Sequence, residues 1–177
     1  PIRIRTYIKY KEFPIQIANK IPFEENILSQ YGEFGKIESS DITLQEGALH
    51  DRKETQLTII HVSEIDFPIP NFALEPEGLW SKLFEGVAGK DIDFVEHPVF
   101  SKKYYLRGEN EDTVRDFFTK PLIDFLENRE EMHIECHKHR LIFYKKRDLL
   151  ESGEILYAMK FAEEFLLLVQ EKTTQSV

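Results

Sequence analysis

Apolar and polar residues alternate in several short runs along the chain, which is the pattern of strands with one buried face. Residues 41–45 (DITLQ) and 55–65 (TQLTIIHVSEI) are two such runs, and the polar segment between them contains a glycine and can turn a hairpin. Residues 131–149 (EMHIECHKHRLIFYKKRDL) predict a second hairpin with a tight turn at about residues 137–139. These runs predict an antiparallel sheet built from hairpins.

Other segments repeat apolar residues at helical spacing. The clearest covers residues 114–126, where Pro121 interrupts the apolar face and predicts a kink or two consecutive helices. A long helix is predicted over residues 152–172, with Ser152 as its cap. A shorter helix is predicted over residues 76–86, with Trp80 in its buried stripe.

The remaining segments are less regular. Residues 102–108 (KKYYLRG) predict a strand, and residues 91–94 (DIDF) predict a short one with Ile92 and Phe94 on one side. Residues 67–77 (FPIPNFALEPE) contain prolines that lack backbone donors, so we interpret them as a crossing segment or an edge. Residues 24–35 predict a short helix ended by glycine.

The order of these elements predicts the fold class. Hairpins followed by helices favour an α+β fold, in which an antiparallel sheet carries helices packed on one face. A chain of 177 residues with 41% apolar and 31% charged residues is expected to form one globular domain over residues 1–177 with a packed core. Residues 1–35 are a poorly readable N-terminal segment, and residues 36–177 form the sheet-and-helix body.

The net charge of −9 argues against nucleic acid and anionic lipid as partners, because both need a surplus of cations. The exception is a basic N-terminal stretch with Arg3, Arg5, Lys9 and Lys11. We interpret it as a half-exposed strand with its cations in solvent, in preference to a juxtamembrane or partner-binding arm.

A single cysteine excludes an intramolecular disulfide and fits a reducing compartment. No apolar run approaches the roughly twenty residues of a spanning helix. The chain begins at Pro1 without an initiator methionine, so we expect a longer parent protein. These features predict a cytoplasmic domain, with a tether to the inner membrane through a preceding segment as the alternative.

Candidate chemistry concentrates in residues 132–141 (MHIECHKHRL). Because strand side chains alternate, Met132, Ile134 and Cys136 are predicted on one face, with Cys136 an inert buried thiol.

The opposite face of the same strand carries His133, Glu135 and His137, and His139 lies in the turn. These four residues are the candidate metal ligands, since imidazole and carboxylate groups bind zinc. We favour a solvated strand face over a metal site, because the sequence has neither HExxH nor CxxC spacing.

The sequence offers no other catalytic group and no cofactor site. It lacks a GxSxG elbow, a P-loop and a dinucleotide fingerprint. The acidic pairs Asp91 with Asp93 and Glu130 with Glu131 are interpreted as solvated strand and helix ends.

Three stretches resemble a bacterial family of uncharacterised proteins: NFALEPE (71–77), GKDIDFVEHPVFSKKYYLRGENEDTVRDFF (89–118) and HIECHKHRLIFYKKRDLL (133–150). The resemblance covers about residues 56–170. It implies a soluble domain behind N-terminal membrane helices and carries no assigned function or catalytic residue. The chain departs from that pattern before residue 55 and at residues 137–139, where glycine would be more usual.

Three hypotheses follow. The leading one is a non-enzymatic interaction or ligand-sensing module of a bacterial protein, with a protein or small ligand as partner. The alternative is a metal-dependent hydrolase that uses His133, Glu135 and His137, with His139 as a further ligand. The third makes the FPIPNF segment (67–72) a peptide-binding groove.

Overall fold

The computed structural model describes the backbone of residues 5–10, 13–18, 29–32, 35–46, 53–77, 91–145 and 149–175. Side chains are described for residues 36–41, 56–77, 91–145 and 149–170. Together these residues form an antiparallel sheet with helices, so the predicted α+β class is confirmed.

The described strands are β1 (Arg5–Tyr10), β2 (Phe13–Ala18), β3 (Ser29–Gly32), β4 (Gly35–Glu46), β5 (Lys53–Ser63), β6 (Phe72–Pro76), β7 (Tyr104–Gly108), β8 (His133–His137) and β9 (Arg140–Tyr144). β1 and β2 pair with each other. The other seven form one sheet in the order β3-β4-β5-β9-β8-β6-β7, and every neighbouring pair is antiparallel. The predicted hairpins, β4 with β5 and β8 with β9, are therefore confirmed and lie side by side.

The described helices are α1 (Pro98–Lys103), α2 (Glu111–Phe117), α3 (Lys120–Glu127) and α4 (Ser152–Gln175). The interruption predicted at Pro121 is confirmed, because α2 ends before it and α3 begins with it in its first turn. Proline is tolerated there since the first turn of a helix needs no backbone donor. Asn110 caps α2 by accepting a 2.9 Å hydrogen bond from the Thr113 amide.

The start of α4 differs from the prediction in its capping residue. Ser152 is the first helical residue, and Glu151 precedes it in the capping position, with its carbonyl accepting from the Ile155 amide at 2.9 Å. The Glu154 carboxylate accepts from the Glu151 amide at 3.0 Å, which is one half of a capping box.

One face of the sheet packs against the helices, and we call it the helix-covered face. Ile60, Phe72, Ile134 and Phe143 lie on it and are inaccessible to solvent. Phe143 contacts α4 through Phe165, with ring centroids 5.4 Å apart, and Phe72 contacts the end of α2 through Phe117, with centroids 5.5 Å apart. Aromatic and aliphatic burial on this face forms the core of the domain.

Strand β6 lies in the interior of the sheet, between β8 and β7, so the edge prediction for this segment is wrong. Both prolines that motivated it, Pro68 and Pro70, precede the strand in an irregular crossing segment. Phe72 is fully buried on the helix-covered face. The peptide-groove hypothesis therefore loses the exposed aromatic side chain on which it depended.

The true edge on this side of the sheet is β7, and residues 91–92 run beside it. The Ile92 amide donates to the Leu106 carbonyl at 2.8 Å, and the Asp91 carboxylate accepts from the Leu106 amide at 3.1 Å. Residues 91–94 are not a strand, although Ile92 is buried and Asp93 exposed as predicted. This short segment covers the middle of the edge.

The N-terminal third is only partly described. Residues 29–32 form a strand, so the helix predicted over 24–35 is wrong there, and the strand predicted near the N-terminus is present as β1. Trp80 and most of the helix predicted around it lie outside the described residues. Among the helices that the structure describes, none is both long enough and apolar enough to cross a membrane.

Candidate functional site

The candidate histidines lie on and beyond strand β8. Alternation along β8 puts Ile134 and Cys136 on the helix-covered face and His133, Glu135 and His137 on the other, which we call the polar face. The predicted division of side chains is confirmed. The register places His133 opposite Tyr144 on β9, and Glu135 between Ile142 on β9 and Ala73 on β6.

The polar face is not solvated at its centre, which corrects the sequence interpretation. His133 is 1% exposed and Glu135 is 4% exposed. Alternation states which side chains share a face, but it carries no information on whether that face is covered. The imidazole and the carboxylate therefore lie in the interior, where their partners determine whether burial is tolerated.

Tyr144 is the partner that both of these groups share. Its hydroxyl donates a buried 2.7 Å hydrogen bond to the Glu135 carboxylate. The His133 ring stacks on the Tyr144 ring, with centroids 4.7 Å apart and planes at 12°. This arrangement holds both groups against β9.

A second polar pair lies beside the first on β6 and β7. The Arg107 guanidinium forms an ion pair with the Glu75 carboxylate, and both side chains are largely buried. Tyr105 faces Glu75 across the strands, and the guanidinium lies 5.3 Å from its ring centroid. Sequence reasoning missed this pair because Glu75 and Arg107 belong to segments whose pairing was not predicted.

The four candidate ligands do not converge. His133 and His137 occupy the two ends of β8, about 13 Å apart by strand geometry. His137 is half-buried, while His139 is exposed in the turn. Within the part of the chain that the structure describes, no group of three or more His, Cys, Asp or Glu side chains is arranged to hold a metal ion.

Cys136 lies on the helix-covered face and is 2% exposed, as the sequence predicted. Burial raises the pKa of its thiol to about 12, although a hydrogen bond with the His139 backbone acts in the opposite direction. A thiol with this pKa is protonated near neutral pH, so its environment does not generate the thiolate that a nucleophile requires.

The β8–β9 turn (residues 138–139) completes this end of the hairpin. Lys138 and His139 have left-handed backbones, with φ of 51° and 60°. The Lys138 amide donates a 2.9 Å hydrogen bond to the Asn71 side-chain oxygen, and the Asn71 amide group donates to Glu109 at 3.0 Å. Asn71 therefore ties the turn to the start of β6.

An open depression of about 410 Å³ is lined by Lys103, Arg129, Glu130, Glu131 and Lys145. Its three cationic groups, those of Lys103, Arg129 and Lys145, are engaged with the protein itself. The Lys103 ammonium donates to the carbonyls of Leu126 and Glu127 at 2.8 and 2.9 Å, and Lys145 pairs with Glu130 at 2.6 Å. The depression is therefore built from structural contacts, and Glu130 and Glu131 are exposed as predicted.

Compared with known proteins, the chain matches no family model, no curated protein and no solved structure. The resemblance to a bacterial family therefore stays a prediction.

Proposed function

We propose that this domain is a non-enzymatic interaction module that binds a protein or a small ligand through exposed residues on a rigid sheet. The observation that carries the proposal is the internal use of the chemically versatile groups on β8. Glu135 accepts from Tyr144, His133 stacks on the same ring, and the Cys136 thiol is held protonated in the core. An acid, base or nucleophile has to reach a substrate, and these groups face protein atoms.

The interaction module is also supported by exposed residues whose backbone is held in place by hydrogen bonds. Val95 is 94% exposed in a turn that directly follows two anchored residues, Asp93 and Phe94. Arg115 donates to the Asp93 carbonyl at 2.7 Å, and the Ser101 hydroxyl accepts from the Phe94 amide at 2.8 Å. Preorganised loops of this kind lose little entropy when a partner binds.

Site-directed photocrosslinking in cells of the source organism tests the proposal. A photoreactive amino acid replaces Val95, Lys138 or Leu156, one at a time, in the full chain. We expect a discrete adduct at one position or more and none at a buried control such as Leu166, which is 1% exposed. Absence of an adduct at all three exposed positions would contradict an interaction module.

The metal-dependent hydrolase remains the rival from another class. Elemental analysis of tag-free protein discriminates the two, because a zinc enzyme retains the metal at one equivalent or more. Stoichiometric zinc that disappears in the His133→Ala, His137→Ala double variant would favour the hydrolase and overturn our proposal.

For localisation, we propose the bacterial cytoplasm, with a tether to the inner membrane as the alternative. A buried thiol that forms no disulfide supports the cytoplasm. Cell fractionation with an antibody against the domain separates the two cases, since a tethered form sediments with membranes and resists high-salt washing.

A further inference from the structure

The β8–β9 turn adopts a backbone conformation that its residues disfavour. Two-residue hairpin turns of type I′ need a positive φ at both central positions, and Asn-Gly is the sequence that meets this requirement with least strain. Here Lys138 and His139 occupy those positions, with φ of 51° and 60°. Long side chains thus occupy positions where glycine would be easier to accommodate, and strain of this kind is found at binding sites.

The turn is also held in place by a hydrogen bond to Asn71. Asn71 accepts from the Lys138 amide at 2.9 Å, and both its side chain and its carbonyl bond to Glu109. Asn71 directly precedes β6, an interior strand of the sheet. The turn is therefore tied to the residue that begins an interior strand and is preorganised for contact.

The side chains that the turn presents are cationic or hydrogen-bond donors. Lys138, His139 and Arg140 are exposed. The influence of Arg140 extends along the polar face to His61, whose pKa is lowered by burial, raised by Glu38 and lowered further by Arg140 and Lys36. The turn therefore presents three consecutive basic side chains in a protein whose net charge is −9, and the Glu109 carboxylate is bonded to Asn71 at the same end.

From these observations we infer that the β8–β9 turn with Arg140 is a recognition element for a short acidic segment of a partner protein. This inference rests on the proposed function and assigns it a surface and a partner chemistry. Ammonium and guanidinium groups bind carboxylates through charge-assisted hydrogen bonds. An extended polyanion such as DNA or an anionic membrane would also meet the negatively charged body, which repels it, whereas a short acidic peptide contacts the turn alone.

A nuclear magnetic resonance titration of the full chain tests the inference. The probe is a blocked hexaglutamate peptide, with hexaglutamine as the uncharged control. We expect amide shifts at Lys138, His139 and Arg140 with hexaglutamate only, and weaker binding as salt is added. Shifts confined to other residues, or equal shifts with both peptides, would overturn the assignment.

Charge reversal provides the matched comparison. The Lys138→Glu, Arg140→Glu variant should bind hexaglutamate at least about tenfold more weakly than the wild type. The Lys102→Glu, Lys160→Glu variant changes the net charge equally at exposed helix positions and should keep most of the affinity. Equal losses in the two variants would show that only net charge matters and would overturn a specific site.

A turn replacement separates recognition from folding. The Lys138→Asn, His139→Gly variant fits the turn better, so it should raise the melting temperature while weakening peptide binding about fivefold or more. Higher stability with unchanged affinity would mean that the turn is structural only. Binding to phosphatidylserine vesicles is measured in the same way. Binding to the vesicles without binding to the peptide would exclude an acidic protein partner.

Failure of this inference is distinguishable from failure of the proposed function. Crosslinks at Val95 or Leu156 together with a negative titration would move the interaction to another surface and leave the module intact. Absence of crosslinks at every exposed position would remove the proposed function itself.

Discussion

The two faces of the sheet are both buried near its centre, yet they are built from opposite chemistry. On the helix-covered face, Ile134 and Phe143 pack against aromatic and aliphatic side chains of the helices. On the polar face, Glu135 and Arg107 are buried with specific partners. The comparison teaches that alternation along a strand separates apolar from polar residues without separating buried from exposed ones.

The two faces should respond differently to substitution. Apolar burial is non-directional and scales with the area removed from water. A buried charge depends on one or two partners, and removing a partner leaves the other unsatisfied. Single changes should therefore be costly on both faces, whereas a matched double change should be tolerated only on the polar face.

The largest effect is expected on the helix-covered face. Phe143→Ala opens a cavity beneath α4 and should lower the free energy of unfolding by about 3–5 kcal/mol in urea titrations. Leu167→Ala, at a position 39% exposed on α4, is the control and should change it by about 0.5 kcal/mol. A loss below about 1 kcal/mol for Phe143→Ala would mean that the core is not closed at this position.

The next effect tests the ion pair on the polar face. Arg107→Leu removes the ion-pair partner of the buried Glu75 carboxylate and should destabilise the protein by about 3 kcal/mol. Adding Glu75→Leu removes the uncompensated buried charge and should recover most of the loss, as measured by the same urea titration. If the double variant is less stable than Arg107→Leu, the charges are stabilising in themselves and the proposed contrast between the faces is wrong.

A smaller effect is expected from the tyrosine hydroxyl. Tyr144→Phe keeps the stack on His133 but removes the donor to Glu135, and should lower stability by about 2 kcal/mol. Tyr157→Phe, at a half-buried position on α4, is the matched control and should have little effect. Equal losses in the two variants would show that the buried hydrogen bond contributes nothing special.

The smallest effect on stability is expected at Asp91, beside the edge strand β7. Burial raises the pKa of Asp91 above its ordinary value of 3.8, and the Asp93 and Glu77 carboxylates raise it too, while the Leu106 amide acts in the opposite direction. An acid with a raised folded pKa contributes stability at low pH, and this contribution is lost as pH rises through the folded value. Asp91→Asn keeps the acceptor oxygen and does not ionise.

Relative to the wild type, Asp91→Asn should therefore gain stability between about pH 3 and about pH 7. Urea midpoints of both proteins at the two pH values measure the change. A relative loss of stability over this interval would show that the charged carboxylate is favoured at the edge and that the pKa of Asp91 is lowered by folding.

Local patterns predicted the elements whose causes are local. Pro121 divides two helices because it lacks a donor, and the split of Ile134 from Glu135 follows from strand geometry. The ion pair was not predictable in this way, since Glu75 and Arg107 are 32 residues apart and meet through the pairing of β6 with β7.

The residues of the candidate site were likewise predictable only as far as local patterns reach. The sequence placed His133 and Glu135 on one face, but their burial depends on parts of the chain distant from β8. The conformation of residues 138–139 was expected as a tight turn, whereas its attachment to Asn71 required the three-dimensional fold. Tertiary contacts, and not local propensity, determine which of these groups can meet a partner.

The position of Lys103 carries a consequence for amine chemistry. Its ammonium donates hydrogen bonds to carbonyl oxygens at the end of α3. Burial lowers the pKa of Lys103, while the Glu131 and Glu127 carboxylates raise it. A lowered pKa favours the free amine that acylation requires, but the hydrogen bonds to the Leu126 and Glu127 carbonyls have to break before this nitrogen can react. Footprinting by mass spectrometry with an acetylating reagent should therefore modify the exposed neighbour Lys102 and leave Lys103 unmodified while α1 and α3 remain in contact. Acetylation of Lys103 would then report that the two helices have separated.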